Sequence, residues 1–161
     1  RPERDLDMEI TDLVTPDSVV PHLKAASKKQ ALQDLARHAC SIAGVDERSI
    51  FDALLERERL GSTGVGLGIA IPHAKLAGLT ELHGVFARAD SPIDFDALDE
   101  QPVDLVFLLL APESAGADHL KALARVSRLL RNHDVCEKLR GAESAEAIYA
   151  LLTEAEANQA A

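Results

Sequence analysis

The spacing of apolar residues changes twice along the chain, and those changes divide it into three parts. From Ser27 to Gly44, Ala31, Leu32, Leu35, Ala36, Ala39, Ile42 and Ala43 recur at the spacing of one helix face. Ser27 with Gln30 three residues later reads as a capping box, and Gly44 as the stop. A second helical stretch starts near Asp46, carries Ile50, Leu54 and Arg57 at i, i+4 and i+7, and ends at Gly61. The middle of the chain then loses this period. "GLGIAIPH" (66–73), "ELHGVFARAD" (81–90) and "VDLVFLLLAP" (103–112) read as strands. The last of these is almost continuously apolar, as a strand covered on both faces must be. From Asp118 the helical period returns, with His119, Ala122, Leu123, Val126, Leu129 and Leu130 on one face. Two shorter helical pieces follow, around 134–140 and 144–153. Helices before and after a central set of strands predict the α/β class, as a single domain spanning 9–153. Residues 1–8 and 154–161 carry no such pattern and are expected to be loose tails.

Composition narrows this picture. Aromatic residues make up only 3% of the 161, so the core has to be built from Leu, Ile, Val and Ala. The formal net charge of −10 argues against nucleic-acid and anionic-membrane partners, so any positive charge used for a phosphate must be local. No apolar run is long enough to cross a bilayer, and the N-terminus has no apolar segment of the signal-peptide kind. A cytoplasmic location is therefore expected. Cys40 and Cys136, each inside an apolar helical pattern and without CxxC spacing, favour two buried thiols over a disulfide.

Candidate chemistry centres on "GSTGVGLGIAIPHAK" (61–75), with four glycines in its first eight positions. It fails both nucleotide templates. There is no Gly-Lys pair for a P-loop, and position 69, where GxGxxG needs its third glycine, is Ile. Glycines alone are better explained by close backbone packing. What they accompany is more specific. Arg57 lies on an apolar stripe in the last helical turn before the loop, where a guanidinium seeks an anion. His73 follows Pro72 directly, and an imidazole is neutral and nucleophilic near pH 7. His119 falls in the first turn of its helix, beside free backbone N–H groups and the positive end of the dipole, a setting that suits an anion. Taken singly, Arg57 can be an arginine whose stem packs and whose head reaches water, and His119 a satisfied histidine at a helix start. His22, His38, His83 and His133 have no supporting pattern and read as surface or ordinary packed residues. Neither His73 nor His119 belongs to an HxxxH, HExxH or CxxC pairing, so no metal site is expected, and no cofactor.

"LLERERLGSTGVGLGIAIPHAK", with its R-E-x-x-G-S-T-G and G-x-A-I-P-H-x-K elements, resembles the signature of IIA proteins of the bacterial phosphoenolpyruvate-dependent phosphotransferase system, of the fructose/mannitol/nitrogen type. The resemblance extends through "SPIDFDALDEQPVDLVFLLLAPESAGADHLKALARVSRLLRN" and covers about residues 10–153. It implies a central mixed β-sheet with helices on both sides and a phosphohistidine carrier needing no metal or cofactor. His73 would accept the phosphoryl group, His119 would position it and Arg57 would pair with its charge. "ITDLVTPDSVVPHLKAASKKQALQDLARHA" looks like the nitrogen-related branch. That implies an HPr-like donor and regulatory target proteins; the alternative is a sugar-transport IIA that passes the group to a IIB component. Two positions depart from the pattern. Leu67 stands in the glycine loop where a polar residue is more usual, and Ala74 follows the histidine where Gly is common. Both are expected to bear on loop geometry and partner choice.

Overall fold

Nine of the ten residues Val103–Pro112 are buried, and they alternate between two separate cores. Val106, Leu108 and Leu110 face one, while Leu105, Phe107 and Leu109 face the other. A strand with no face for water has to lie inside a sheet covered on both sides. The computed structural model, which describes residues 8–160, shows that arrangement.

In chain order the elements are α1 (Ile10–Leu13), a 3₁₀ turn (Pro16–Ser18), β1 (Val19–Leu23), α2 (Lys28–Ala43) and α3 (Glu47–Arg59). Next come β2 (Gly64–Gly66), β3 (Ile69–Ala70), β4 (His73–Leu76), β5 (His83–Ile93) and β6 (Val103–Pro112). The chain closes with α4 (Ala117–Leu130), α5 (His133–Gly141) and α6 (Ala145–Ala160). The six strands form one mixed sheet in the order β1-β5-β6-β3-β2, with β4 also on β6. β5 is antiparallel to β6, while β3 and β4 both run parallel to it. Ile69 pairs with Leu105 and His73 with Leu109, so β3 and β4 form one line along the same side of β6, interrupted at Ile71–Pro72. Helices α2 and α3 cover one face of the sheet, and α1, α4, α5 and α6 the other.

The helix ends follow from local chemistry. Ser27 Oγ accepts from Gln30 N, and the Gln30 side chain reaches back to Ala26 N, one residue before the capping-box position. Gly44 takes a left-handed φ of 74° and closes α2. Asp46 caps α3 through Ser49 N.

The α/β class and the three long strand segments agree with the pattern of the sequence, whereas four details differ. β1, which carries Pro21, is a short edge strand parallel to β5; an edge is where a strand tolerates proline. The glycine-rich strand is divided in three: the Leu67–Gly68 turn folds β2 back antiparallel on β3, and Pro72, which offers no N–H to the ladder, separates β3 from β4. Cys40 is only half-buried, while Cys136 is buried and its thiol donates to Leu130 O at 3.1 Å; both are free.

The loose C-terminal tail expected at 154–161 is, over 154–160, the continuation of α6. Its anchor is polar, which is why apolar periodicity misses it: buried Glu156 accepts from Ile10 N at 2.5 Å, with Arg125 at 3.8 Å. Of the tail expected at 1–8, residues 1–7 lie outside the described residues, and Met8 packs on the α4–α6 core. Ending the chain at Thr153 removes the partner of a buried N–H. It is expected to destabilise the fold by about 1–3 kcal/mol, read as a lower urea midpoint.

Candidate functional site

β4 begins where Pro72 breaks the line along β6, and its first residue is His73. Leu109 N donates to Pro72 O at 2.9 Å, holding the break against β6. The carbonyl of Ile71 is left to accept from His73 Nδ1 at 2.9 Å. A carbonyl can only accept, so Nδ1 carries the proton and Nε2 the lone pair. Arg57 Nε donates to that Nε2 at 3.2 Å, and Arg57 Nη1 donates to Gly61 O at 2.7 Å. The two contacts therefore agree on one tautomer. Burial pushes the pKa of His73 down, and the charge of Arg57 pushes the same way, against the hydrogen bond that His73 donates to Ile71 O.

His119 arrives from the other side. Strand β6 ends at Pro112, beside the end of β4, and a turn leads from it into α4. No side chain caps the amide end of α4, whose first turn contains His119. His119 is 7% exposed, and its Nε2 has no hydrogen-bond partner among the described residues. Its ring centroid lies 5.5 Å from that of His73, at an interplanar angle of 69°. Burial lowers the pKa of His119, with smaller contributions from His73 and Lys75. The structure thus brings Arg57, His73 and His119 together from three elements. Arg57 sits 16 residues before His73, and His119 46 after it.

The apolar stripe of α3 drifts forward by about 40° at each four-residue step. The residue that continues it into the core is therefore Glu58, while Arg57 is half-buried at its side. The pattern identified Arg57 and overlooked Glu58. The Glu58 carboxylate accepts from Thr63 N at 3.0 Å and from the Thr63 hydroxyl, and it pairs with Lys28 Nζ at 3.2 Å. Lys28 also reaches Asp96 at 3.2 Å and Phe95 O at 3.3 Å. This network ties the glycine loop to the ends of α2 and α3 and to the segment after β5. A carboxylate four residues beyond Leu54 on the buried stripe was the signal for it. The glycines serve close approach: a Cβ on Gly64 would lie 2.9 Å from Ala97 Cβ.

His22 and His38 are occupied elsewhere, by Asp90 and Glu143 O and by Asp17 O respectively. Among the described residues no group of three or more His, Cys, Asp or Glu is placed to hold a metal ion, and no helix is long and apolar enough to cross a membrane.

A half-buried neutral histidine, an arginine on its lone pair and a second histidine with an unmade hydrogen bond thus share one spot at the end of β4. The comparisons with known proteins place this architecture. Residues 12–155 match the family model described as "Phosphoenolpyruvate-dependent sugar phosphotransferase system, EIIA 2". The chain belongs to this family, whose members are components of a phosphotransferase system. Within the family its likeness is to the nitrogen-regulatory branch. It is 61% identical over 145 residues to a nitrogen regulatory protein of Bradyrhizobium diazoefficiens, covering 90% of this chain and 95% of that one. A fructose-specific EIIA component of Haloferax volcanii is 42% identical over 151 residues, covering 91% and 98%. The crystal structure of the nitrogen regulatory protein IIA-Ntr from Neisseria meningitidis superposes with a TM-score of 0.84 at 35% identity, covering 89% of this chain and 99% of that one.

The pKa directions give a test. His73 and His119 are expected to titrate below their ordinary value of 6.5, so both are neutral at pH 7. Replacing Arg57 with Gln removes a nearby positive charge and should move the His73 titration upward in histidine NMR; no movement would contradict the geometry. Because both folded values are depressed, the folded state binds fewer protons than the unfolded chain just below pH 6.5, and stability should fall as pH drops through that window.

Proposed function

We propose that the chain is a cytoplasmic phosphohistidine carrier that takes a phosphoryl group onto Nε2 of His73 from an HPr-like protein. Regulatory target proteins then respond to whether the group is present. The tautomer of His73 supports this reading most. A proton fixed on Nδ1 by Ile71 O leaves Nε2 as the nucleophile in a ring whose burial and cationic neighbour keep it neutral.

In the transfer the Nε2 lone pair attacks phosphorus while the P–N bond of the donor's phosphohistidine breaks, and the bonding pair returns to the donor's ring nitrogen. The donor ring, protonated on its other nitrogen, leaves as neutral imidazole. His73 keeps its Nδ1 proton, so no proton is exchanged with solvent. Positive charge builds on the ring of His73 and is stabilised by the Ile71 carbonyl. Arg57 Nε occupies the lone pair at rest, so the guanidinium must pivot about its Gly61 contact, which brings its planar fork onto the phosphoryl oxygens. His119, whose Nε2 lacks a partner among the described residues, supplies a further hydrogen bond to those oxygens. This chemistry needs positioning and charge and no bond to a metal.

The likeness to nitrogen regulatory proteins favours the regulatory role over onward transfer to a IIB component, because the fructose-specific relative is the more distant of the two. Parallel assays with purified HPr-like and IIB-type partners separate the roles, since efficient onward transfer to a IIB component would favour transport.

Three substitutions test the chemistry. His73→Ala is expected to abolish phosphorylation, and full-stoichiometry labelling of that variant would refute the assignment. His119→Ala should still accept the group but pass it on poorly or lose it faster to hydrolysis. Arg57→Ala should slow acceptance on the order of a hundredfold. Adding a chelator to the transfer assay should change nothing.

A further inference from the structure

Leu67, at the tip of the β2–β3 turn, combines three properties that a fold has no reason to combine. Its φ is 59°, in the left-handed region that glycine or asparagine enters far more readily than a branched apolar residue. Its backbone is held on both sides: Leu67 N donates to Asp99 Oδ2 at 2.9 Å, and Leu67 O accepts from Arg140 Nη2 at 2.9 Å. Its side chain is nevertheless 75% exposed, beside Val65 at 57%. A strained backbone carrying a solvent-facing leucine adds almost nothing to the core, and strain of this kind is stored where it serves function.

The clamp on this turn is built from several elements. Arg140 on α5 is fixed by Asp104 Oδ2 at 2.8 Å and Glu137 Oε2 at 2.9 Å. Gly68 O accepts from both Asp104 N and Leu105 N. A Cβ on Gly68 would lie 2.6 Å from Arg140 Nη2, so only glycine lets the guanidinium reach the Leu67 carbonyl. Leu67 is thereby presented rigidly, with little freedom left to lose on contact.

Its place relative to His73 follows from the sheet. Ile69 and His73 lie four residues apart along one edge of β6, a rise of about 13 Å. Leu67, two residues earlier, is at most about 20 Å from His73. A standard protein–protein footprint of about 800 Å² per partner is roughly 32 Å across, so a partner bringing its own histidine to His73 extends toward this turn. The turn shares an apolar recess with Ser127, Leu130 and Arg131 at the C-terminal end of α4, the helix whose first turn carries His119 and the exposed Leu120.

We propose that Leu67 is a specificity-determining residue for the phosphoryl donor, an apolar knob that seats in an apolar socket beside the phosphohistidine of a partner carrier protein. The proposal rests on the phosphocarrier reading, because transfer between two imidazoles forces two protein surfaces into contact around His73. It also accounts for the leucine in a glycine loop where the family resemblance leads one to expect a polar residue.

The test compares a protein donor with a small one. Leu67→Asn keeps a residue at ease in the left-handed region and removes the apolar surface; Leu67→Met keeps the apolar surface. Phosphorylation of His73 is followed with an HPr-like carrier charged from phosphoenolpyruvate, and separately with phosphoramidate, which has no surface to dock. The Asn variant is expected to raise KM for the charged carrier about fivefold or more, to keep the wild-type rate with phosphoramidate and to melt no lower than wild type. The Met variant should restore KM. An unchanged KM in the Asn variant, or an equal loss with phosphoramidate, overturns the role of Leu67 while leaving the carrier reading intact. Failure of the wild-type protein to take the group from either donor overturns the carrier reading, and this proposal with it.

Discussion

Burial of β6 on both faces constrains everything else. Leu105, Phe107 and Leu109 need one helical layer, and Val106, Leu108 and Leu110 another, so neither face of the sheet can host polar chemistry. What remains is the line of β3 and β4 along one side of β6, and at its interruption, Ile71–Pro72, the carbonyl of Ile71 stays outside the ladder. The proline that breaks the ladder also releases the carbonyl that orients His73. The position of the site is thus a consequence of how the core is packed.

Around that gap the electrostatics are arranged by withholding charge. The two histidines are desolvated and neutral, and the nearest cation, Arg57, bonds to a lone pair instead of a carboxylate. The buried carboxylate next to it in sequence, Glu58, is committed to Thr63 and Lys28. On the carrier reading this leaves Arg57 available for the incoming anion, in a chain whose net charge of −10 would otherwise repel one.

Much of this was legible in the residue pattern, for physical reasons that also mark its limits. Long amphipathic helices and the doubly buried strand announce themselves because burial imposes their period, and α2, α4 and β6 lie close to where the pattern puts them. Arg57 and His73 stood out because the R-E-x-x-G-S-T-G and G-x-A-I-P-H-x-K elements resemble a family signature, and His119 because it falls in the first turn of a helix within the stretch over which that resemblance continues. Glu58 escaped notice because it is a charged residue doing the work of an apolar one, and its partners Lys28 and Thr63 are remote or unremarkable in sequence. The end of α6 escaped because a single carboxylate, Glu156, replaces the apolar anchors that periodicity detects. β1 is five residues long and contains a proline, and only its pairing with β5 makes it a strand.

The unmade hydrogen bond of His119 has a consequence for how such a protein signals. At rest, one buried nitrogen has no partner among the described residues and one arginine is spent on a neutral ring. On the carrier reading, the phosphoryl group satisfies both within a scaffold whose backbone is already fixed by the sheet. The two forms would then differ by one unit of net negative charge at one spot on an almost unchanged surface, with the charged form the more fully bonded. A protein that tells them apart would have to sense the electrostatic potential at that spot, because the shape gives it almost nothing to read.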